Sequence, residues 1–263
     1  MKQGLICMGS WRKKKATLPE RHVRSIMTHP GEIPSWPEKR VAMRILVACE
    51  FSGIVRQAFI EQGHDAWSCD LLPSEQYGPH VQRDVRLILN DGWDMMCCFP
   101  PCTYLCNSGA RWWNLRQQEQ KDAIAFVRSL LDAPIPRIAL ENPTGCLSTA
   151  IRKPDQILQP FLFGENASKA TCLWLKNLPK LWPTRVMEAA RMRCPSCGAI
   201  FPASYGFYGC ACLSSRLARP IYANQTASGQ NNLPQSKTRA KDRSRTYPGV
   251  AAAMAEQWGT ILS

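Results

Sequence analysis

From Met43 the chain enters Ile45-Leu46-Val47-Ala48-Cys49, a continuous apolar run of the length expected for a strand buried on both faces. Phe51-Ser52-Gly53 interrupts it, and Ile54 to Gln62 has the spacing of a helix. After Gly63 a second strand, Ala66 to Cys69, ends at Asp70, and a third short segment ends at Asp84. Trp93 to Cys98 predicts a fourth strand that runs into Phe99-Pro100-Pro101-Cys102. Gln117 to Leu131 reads as an amphipathic helix, and Arg137 to Leu140 as a further strand closed by Glu141-Asn142-Pro143. Strands alternating with helices predict an α/β fold with a doubly wound, mostly parallel, Rossmann-like sheet, whose ligands lie outside the carboxyl ends of the strands. The polar and special residues fall at those ends.

The periodicity fails on either side of residues 43 to 182, which are therefore read as the catalytic core. Residues 1 to 42 hold nine Lys or Arg against three Glu, with Pro30, Pro34 and Pro37. They read as a disordered basic leader, and an upstream start codon would explain it. Residues 183 to 222 read as a small irregular Cys-rich insertion, 223 to 246 as a polar basic loop, and Pro248 to Gly259 as an Ala-rich helix that packs back on the core.

Composition narrows the class. At 263 residues, 45% of them hydrophobic, the chain can bury one α/β domain with a modest appendage. No apolar run is long enough for a membrane span or a secretory signal. A net charge of +13 favours a polyanionic partner, because each neutralised phosphate releases counterions. Thirteen irregularly spaced Cys suit a reducing cytoplasm better than a disulfide scaffold. Among such cysteines the informative ones are nucleophiles or metal ligands.

Gly53, between a buried strand and a helix, lets backbone approach a ligand at the helix N-terminus. Asp70 can accept hydrogen bonds from a ribose and Asp84 from an adenine amino group, although each residue taken alone also fits a turn or a cap. Pro100-Pro101 stiffens the loop that presents Cys102 at the sheet edge, and helical residues after it would lower a thiol pKa, which makes Cys102 a candidate nucleophile. On the neighbouring strand end, Glu141 in an apolar site can keep a proton and offer it to a ring nitrogen.

These motifs resemble those of the DNA cytosine-5 methyltransferases, and more closely the short phage-type members. The likeness covers about residues 43 to 182, in family order. Cys49-Glu50-Phe51-Ser52-Gly53 is similar to the cofactor loop, Asp70 and Asp84 to the acidic positions that follow, Phe99-Pro100-Pro101-Cys102 to the catalytic loop, and Glu141-Asn142-Pro143 to Glu-Asn-Val. Phe163-Gly164, then Lys169 and Thr171, resembles the segment where the family carries two arginines; Lys169 keeps the charge but loses the planar fork. The resemblance implies S-adenosylmethionine bound by Phe51, Ser52, Gly53, Asp70, Asp84 and Pro100. It implies DNA as partner, and attack by Cys102 on ring carbon 6 of a flipped-out cytosine, with Glu141 on ring nitrogen 3 and Lys169 near the carbonyl. The same features fit an RNA cytosine-5 methyltransferase or a catalytically silent DNA-binding relative.

In the tail, Cys194-Pro195-Ser196-Cys197 and Cys210-Ala211-Cys212 make a plausible tetrahedral site for one structural zinc. Arg191 and Arg193 flank it where the family inserts its recognition region, and Arg239, Lys241 and Arg243 form a second basic stretch, so all five are candidate nucleic-acid contacts. A monomer is expected.

Overall fold

The computed structural model describes residues 42–204, 218–226, 228 and 230–261. The expected leader, apart from Ala42, lies outside them. Seven strands form one sheet: β1 (Arg44–Ala48), β2 (Asp65–Asp70), β3 (His80–Gln82), β4 (Met95–Cys98), β5 (Arg137–Pro143), β6 (Gln156–Leu158) and β7 (Thr171–Lys176). Their order is β3-β2-β1-β4-β5-β7-β6. The first five pair in parallel, and β7 runs antiparallel to both β5 and β6. This is the doubly wound, mostly parallel, Rossmann-like α/β architecture expected. The chain order reverses between β1 and β4, which opens a crevice beyond their carboxyl ends.

Alternation along the strands explains why both faces are covered. Ile45 and Val47 point to one side, with Met95, Cys97 and Leu173. There they meet Val55 and Phe59 of α1 (Ile54–Glu61) and Val250, Met254 and Trp258 of α5 (Pro248–Trp258). Leu46, Ala48, Met96, Cys98 and Leu140 point to the other side and pack with Val127 and Leu130 of α2 (Gln117–Leu131). A strand apolar at every position is thus a strand with helices on both faces. A short helix, α3 (Leu147–Ala150), follows β5.

The tail departs from expectation in two places. Residues 183 to 222 are not wholly irregular: β8 (Arg191–Arg193), β9 (Ile200–Pro202) and β10 (Arg219–Ile221) form an antiparallel sheet, ordered β10-β8-β9. Three-residue strands are too short to display a period of two. The basic loop contains α4 (Arg239–Ser244), which has no buried residue and is held by ion pairs rather than an apolar face. No helix among the described residues is long and apolar enough to cross a membrane.

Candidate active site

The loop after β1 is built from the inside. Cys49 adopts a left-handed backbone, φ 58°, a costly conformation for a residue with a Cβ. It turns Glu50 inward, where the buried carboxylate accepts from Ser52 Oγ at 2.8 Å and from the Val55 N–H at 2.9 Å. Its other oxygen, Oε2, has no partner, and burial pushes this carboxyl above its ordinary range. Gly53 has φ 75°, and a Cβ there would lie 2.7 Å from Arg56 Nη2 and 2.9 Å from Gln76 Cβ. The turn therefore needs glycine for both conformation and space. Phe51 is buried beside it.

Arg56 is fully buried on α1 and ties down the segment between β2 and β3. Its guanidinium donates to Ser68 Oγ at 2.9 Å, Ser74 Oγ at 3.1 Å, and the Gln76 and Tyr77 carbonyls at 3.0 Å each. Asp70 ends β2, and one of its oxygens accepts from the Leu72 N–H at 2.9 Å, closing a turn. Asp84 caps a short 3-10 turn, and Arg86 engages both carboxylate oxygens, holding the carboxyl below its ordinary range. Asp84 is thus a cap, and Asp70 makes a turn contact through one oxygen.

The two loops carrying Cys102 and Glu141 are bonded to each other. Asn142, buried in β5, donates from Nδ2 to the Pro100 carbonyl at 2.9 Å. On the far side of the catalytic loop, Cys106 bridges to Gly145, where any Cβ would overlap the Leu105 carbonyl. The Cys106 N–H donates to the Cys102 carbonyl at 3.1 Å, so the residues after Cys102 form one tight turn rather than a helix. That corrects the expected lowering of the thiol. Burial is the largest influence and pushes the Cys102 thiol up; Cys106 and the Glu141 carboxylate add to this, and among the described residues Lys169 opposes it. Lys169 Nζ stands 3.9 Å from Glu141 Oε1 and donates to the Arg243 carbonyl at 3.2 Å. Glu141, Lys169, Thr171, Thr246 and Tyr247 line a small hollow of about 20 Å³.

The loop carrying Cys102 then runs into 3-10 turns, Asn107–Leu115, that leave Trp112 and Leu115 exposed, with the Arg111 guanidinium 5.0 Å from the Trp112 ring centroid. The candidate nucleic-acid residues fall on two elements. Arg191 and Arg193 lie on β8, and Arg193 with Arg219 borders a cleft of about 410 Å³. Arg239, Lys241 and Arg243 lie on α4, where Lys241 is already engaged: its ammonium is 2.9 Å from Glu75 and 4.8 Å from the Phe51 ring centroid. Arg245 adds two 2.8 Å hydrogen bonds to Glu75. Lys241 therefore straps α4 over the loop after β1, a role that its place in a basic run conceals. In the expected zinc site, Cys194 is buried and Cys197 exposed around one turn closed by Gly198 N–H to the Cys194 carbonyl at 3.0 Å; Cys210 and Cys212 lie outside the described residues. Among the described residues no three His, Cys, Asp or Glu cluster as a metal site.

Sequence reasoning missed Glu50, Arg56, Glu75 and Asn142. Arg56 carried a usable signal, since a charged residue between Val55 and Phe59 on the apolar face of α1 requires buried partners. Glu75 had none, because its partners lie 166 and 170 positions away.

No protein-family profile matches the chain, and no curated protein does. Among solved structures, a prophage-encoded E. coli protein, itself assigned only provisionally as a DNA modification methyltransferase, matches with a TM-score of 0.37 and 14% identity. The match covers 56% of this chain and 53% of that one, so the two share about half of their lengths.

Proposed function

We propose that the protein transfers a methyl group from S-adenosylmethionine to carbon 5 of cytosine in DNA, with Cys102 as the nucleophile. The observation that carries this reading is the joining of the Cys102 and Glu141 loops through Asn142, at a sheet edge that also holds the Gly53 turn. A rigid thiol, a carboxyl group and a cation meet there, which are the groups needed to add to a pyrimidine ring and hold the charge that follows.

The residues fit the cofactor. Ser52 and Gly53 form the turn at the start of α1, Asp70 suits a ribose, and Phe51 and Pro100 are apolar. Asp84 is the weakest member, since Arg86 occupies its carboxylate. When bound, S-adenosylmethionine supplies the electrophilic methyl group.

The chain's own residues do the rest. Burial favours the protonated Cys102 thiol, so its proton passes to water as sulfur bonds to ring carbon 6, and the displaced ring electron pair is held toward nitrogen 3 by a proton from Glu141. Lys169 favours the thiolate and lies where it can meet the base carbonyl. Glu141 holds ring nitrogen 3, placing carbon 5 for methylation. A base or water then removes the carbon 5 proton and Cys102 departs. Because these atoms are buried in a duplex, the base must be flipped out at a cost of roughly a few kcal/mol. Arg191, Arg193, Arg239 and Arg243 contribute phosphate contacts; Cys194 and Cys197, with Cys210 and Cys212 outside the described residues, would hold one structural zinc, releasable by a chelator.

Labelled methyl transfer to unmethylated duplex DNA, with nucleoside analysis, tests the reading. The expected product is 5-methylcytosine, and Cys102→Ala should lose at least about 10³-fold in rate while remaining folded. Transfer that survives this change would sink the mechanism. Transfer to RNA alone would move the substrate, and cofactor binding without any transfer would favour a silent relative.

A further inference from the structure

The segment after β10 docks on residues 159 to 169 through contacts that the steps above do not use. Tyr222 stacks on Phe161, with centroids 4.6 Å apart and planes 6° apart. The Ala223 N–H reaches both the Asn166 carbonyl, at 3.1 Å, and Asn166 Oδ1, at 3.0 Å. Asn224 then uses its whole side-chain amide. Oδ1 accepts from the Ser168 N–H at 2.9 Å, while Nδ2 donates to the Ser168 carbonyl at 3.0 Å and to the Tyr247 hydroxyl at 3.3 Å. Gln159 Oε1 takes the next N–H, that of Lys169, at 3.0 Å.

An amide side chain that pairs with both backbone groups of one residue acts as a neighbouring strand would, fixing that residue in place and orientation. The fixed residue is Ser168, and the side chain leaving the next Cα is Lys169. Its four-carbon stem has many rotamers, so the position of its ammonium depends on a fixed root. From this root it reaches 3.9 Å from Glu141 and 3.2 Å from the Arg243 carbonyl.

We infer that Asn224 is a positioning residue for the Lys169–Glu141 pair, making the active site complete only when the segment following the Cys-rich region is docked. Its importance for catalysis rests on the reading of Cys102 as nucleophile, but its test does not require turnover. The charged and titratable groups acting on Cys102 are Cys106 from its own turn, Glu141 from β5 and Lys169 from the segment entering β7. Lys169 alone favours the thiolate, so the position of its ammonium is readable in how Cys102 ionises.

The experiment measures the rate of Cys102 alkylation by iodoacetamide across pH in the full chain, followed by peptide mass spectrometry. Lys169→Met should move the midpoint upward. Asn224→Ala should move it the same way by about half a pH unit, a roughly three-fold loss of thiolate below the midpoint. The double variant should move it no further than Lys169→Met alone. A merely structural role would lower the melting temperature and leave the midpoint unchanged. The inference is overturned if Asn224→Ala leaves the midpoint in place, if the two shifts add fully, or if Lys169→Met has no effect. Should Asn224→Ala fail to fold, Gln159→Ala loosens the same root and must give the upward shift. Absence of methyl transfer alongside the predicted shifts would defeat the proposed reaction and leave the positioning role standing.

Discussion

The two sides of the sheet's carboxyl edge are built in opposite ways. Around β1 to β3 the cofactor loop is shaped within about thirty residues, by Glu50 capping α1 and Arg56 holding the chain at Gln76 and Tyr77. Glu50, Ser52, Arg56 and Ser68 are buried, and the bonds among Glu50, Ser52 and Val55 and between Arg56 and Ser68 are made out of water. The nucleophile side is assembled from residues 102, 141, 169, 224 and 243, brought together from five distant segments and partly open to solvent. The first design yields rigidity, because unmaking it strands buried donors and acceptors. The second lets a docked tail adjust where a charge sits at modest energetic cost.

If this contrast is right, the largest stability loss should come from the inner network. Arg56→Ala removes the partners of two serines and two or more carbonyls, and should cost about 3 kcal/mol in urea unfolding. A loss below about 1 kcal/mol would show that the loop does not depend on it. On the other side, Asn142→Ala should separate the two properties. Its Oδ1 has no partner, so the stability loss should stay near 1 kcal/mol, while release of the Pro100 carbonyl should slow trapping on 5-fluorocytosine DNA about ten-fold. An unchanged trapping rate would remove Asn142 from the account of the site.

The smallest effect belongs to the strap between the two sides. Arg245 and then Lys241 hold the Glu75 carboxyl down to about 2, from an ordinary 4.5. A depressed carboxyl stabilises the folded state above its unfolded value and loses that contribution as pH falls through its folded one. The stability gap between the native chain and Glu75→Gln should therefore be constant near neutrality and close between about pH 4.5 and 2. Because these groups are solvent-screened, the gap should be under about 1 kcal/mol and shrink with salt. A gap that widened in acid would mean the strap is held by something else.

The legible parts share a physical origin. β1, α2 and α5 were readable because burial on one or both faces imposes a period on the residues themselves, and loops ending in Gly53, Cys102 and Glu141 were readable as interruptions of it. The strands β8 to β10 and helix α4 were not, being too short or held by charge instead of an apolar face. Arg86 illustrates a further limit: an exposed arginine two residues from Asp84 decides whether that carboxylate is available, and no periodicity marks it.

Sequence alone determined the alternation of strands and helices, the strand ends that carry chemistry, and the candidate groups themselves, since each follows from near-neighbour pattern and residue type. Only the tertiary structure decided that burial raises the Cys102 thiol, that Lys241 straps the cofactor loop, and that Asn224 holds the root of Lys169. Each of these depends on what lies opposite a side chain in space: Glu75, which pairs with Lys241, and Ser168, which pairs with Asn224, stand more than fifty residues away along the chain.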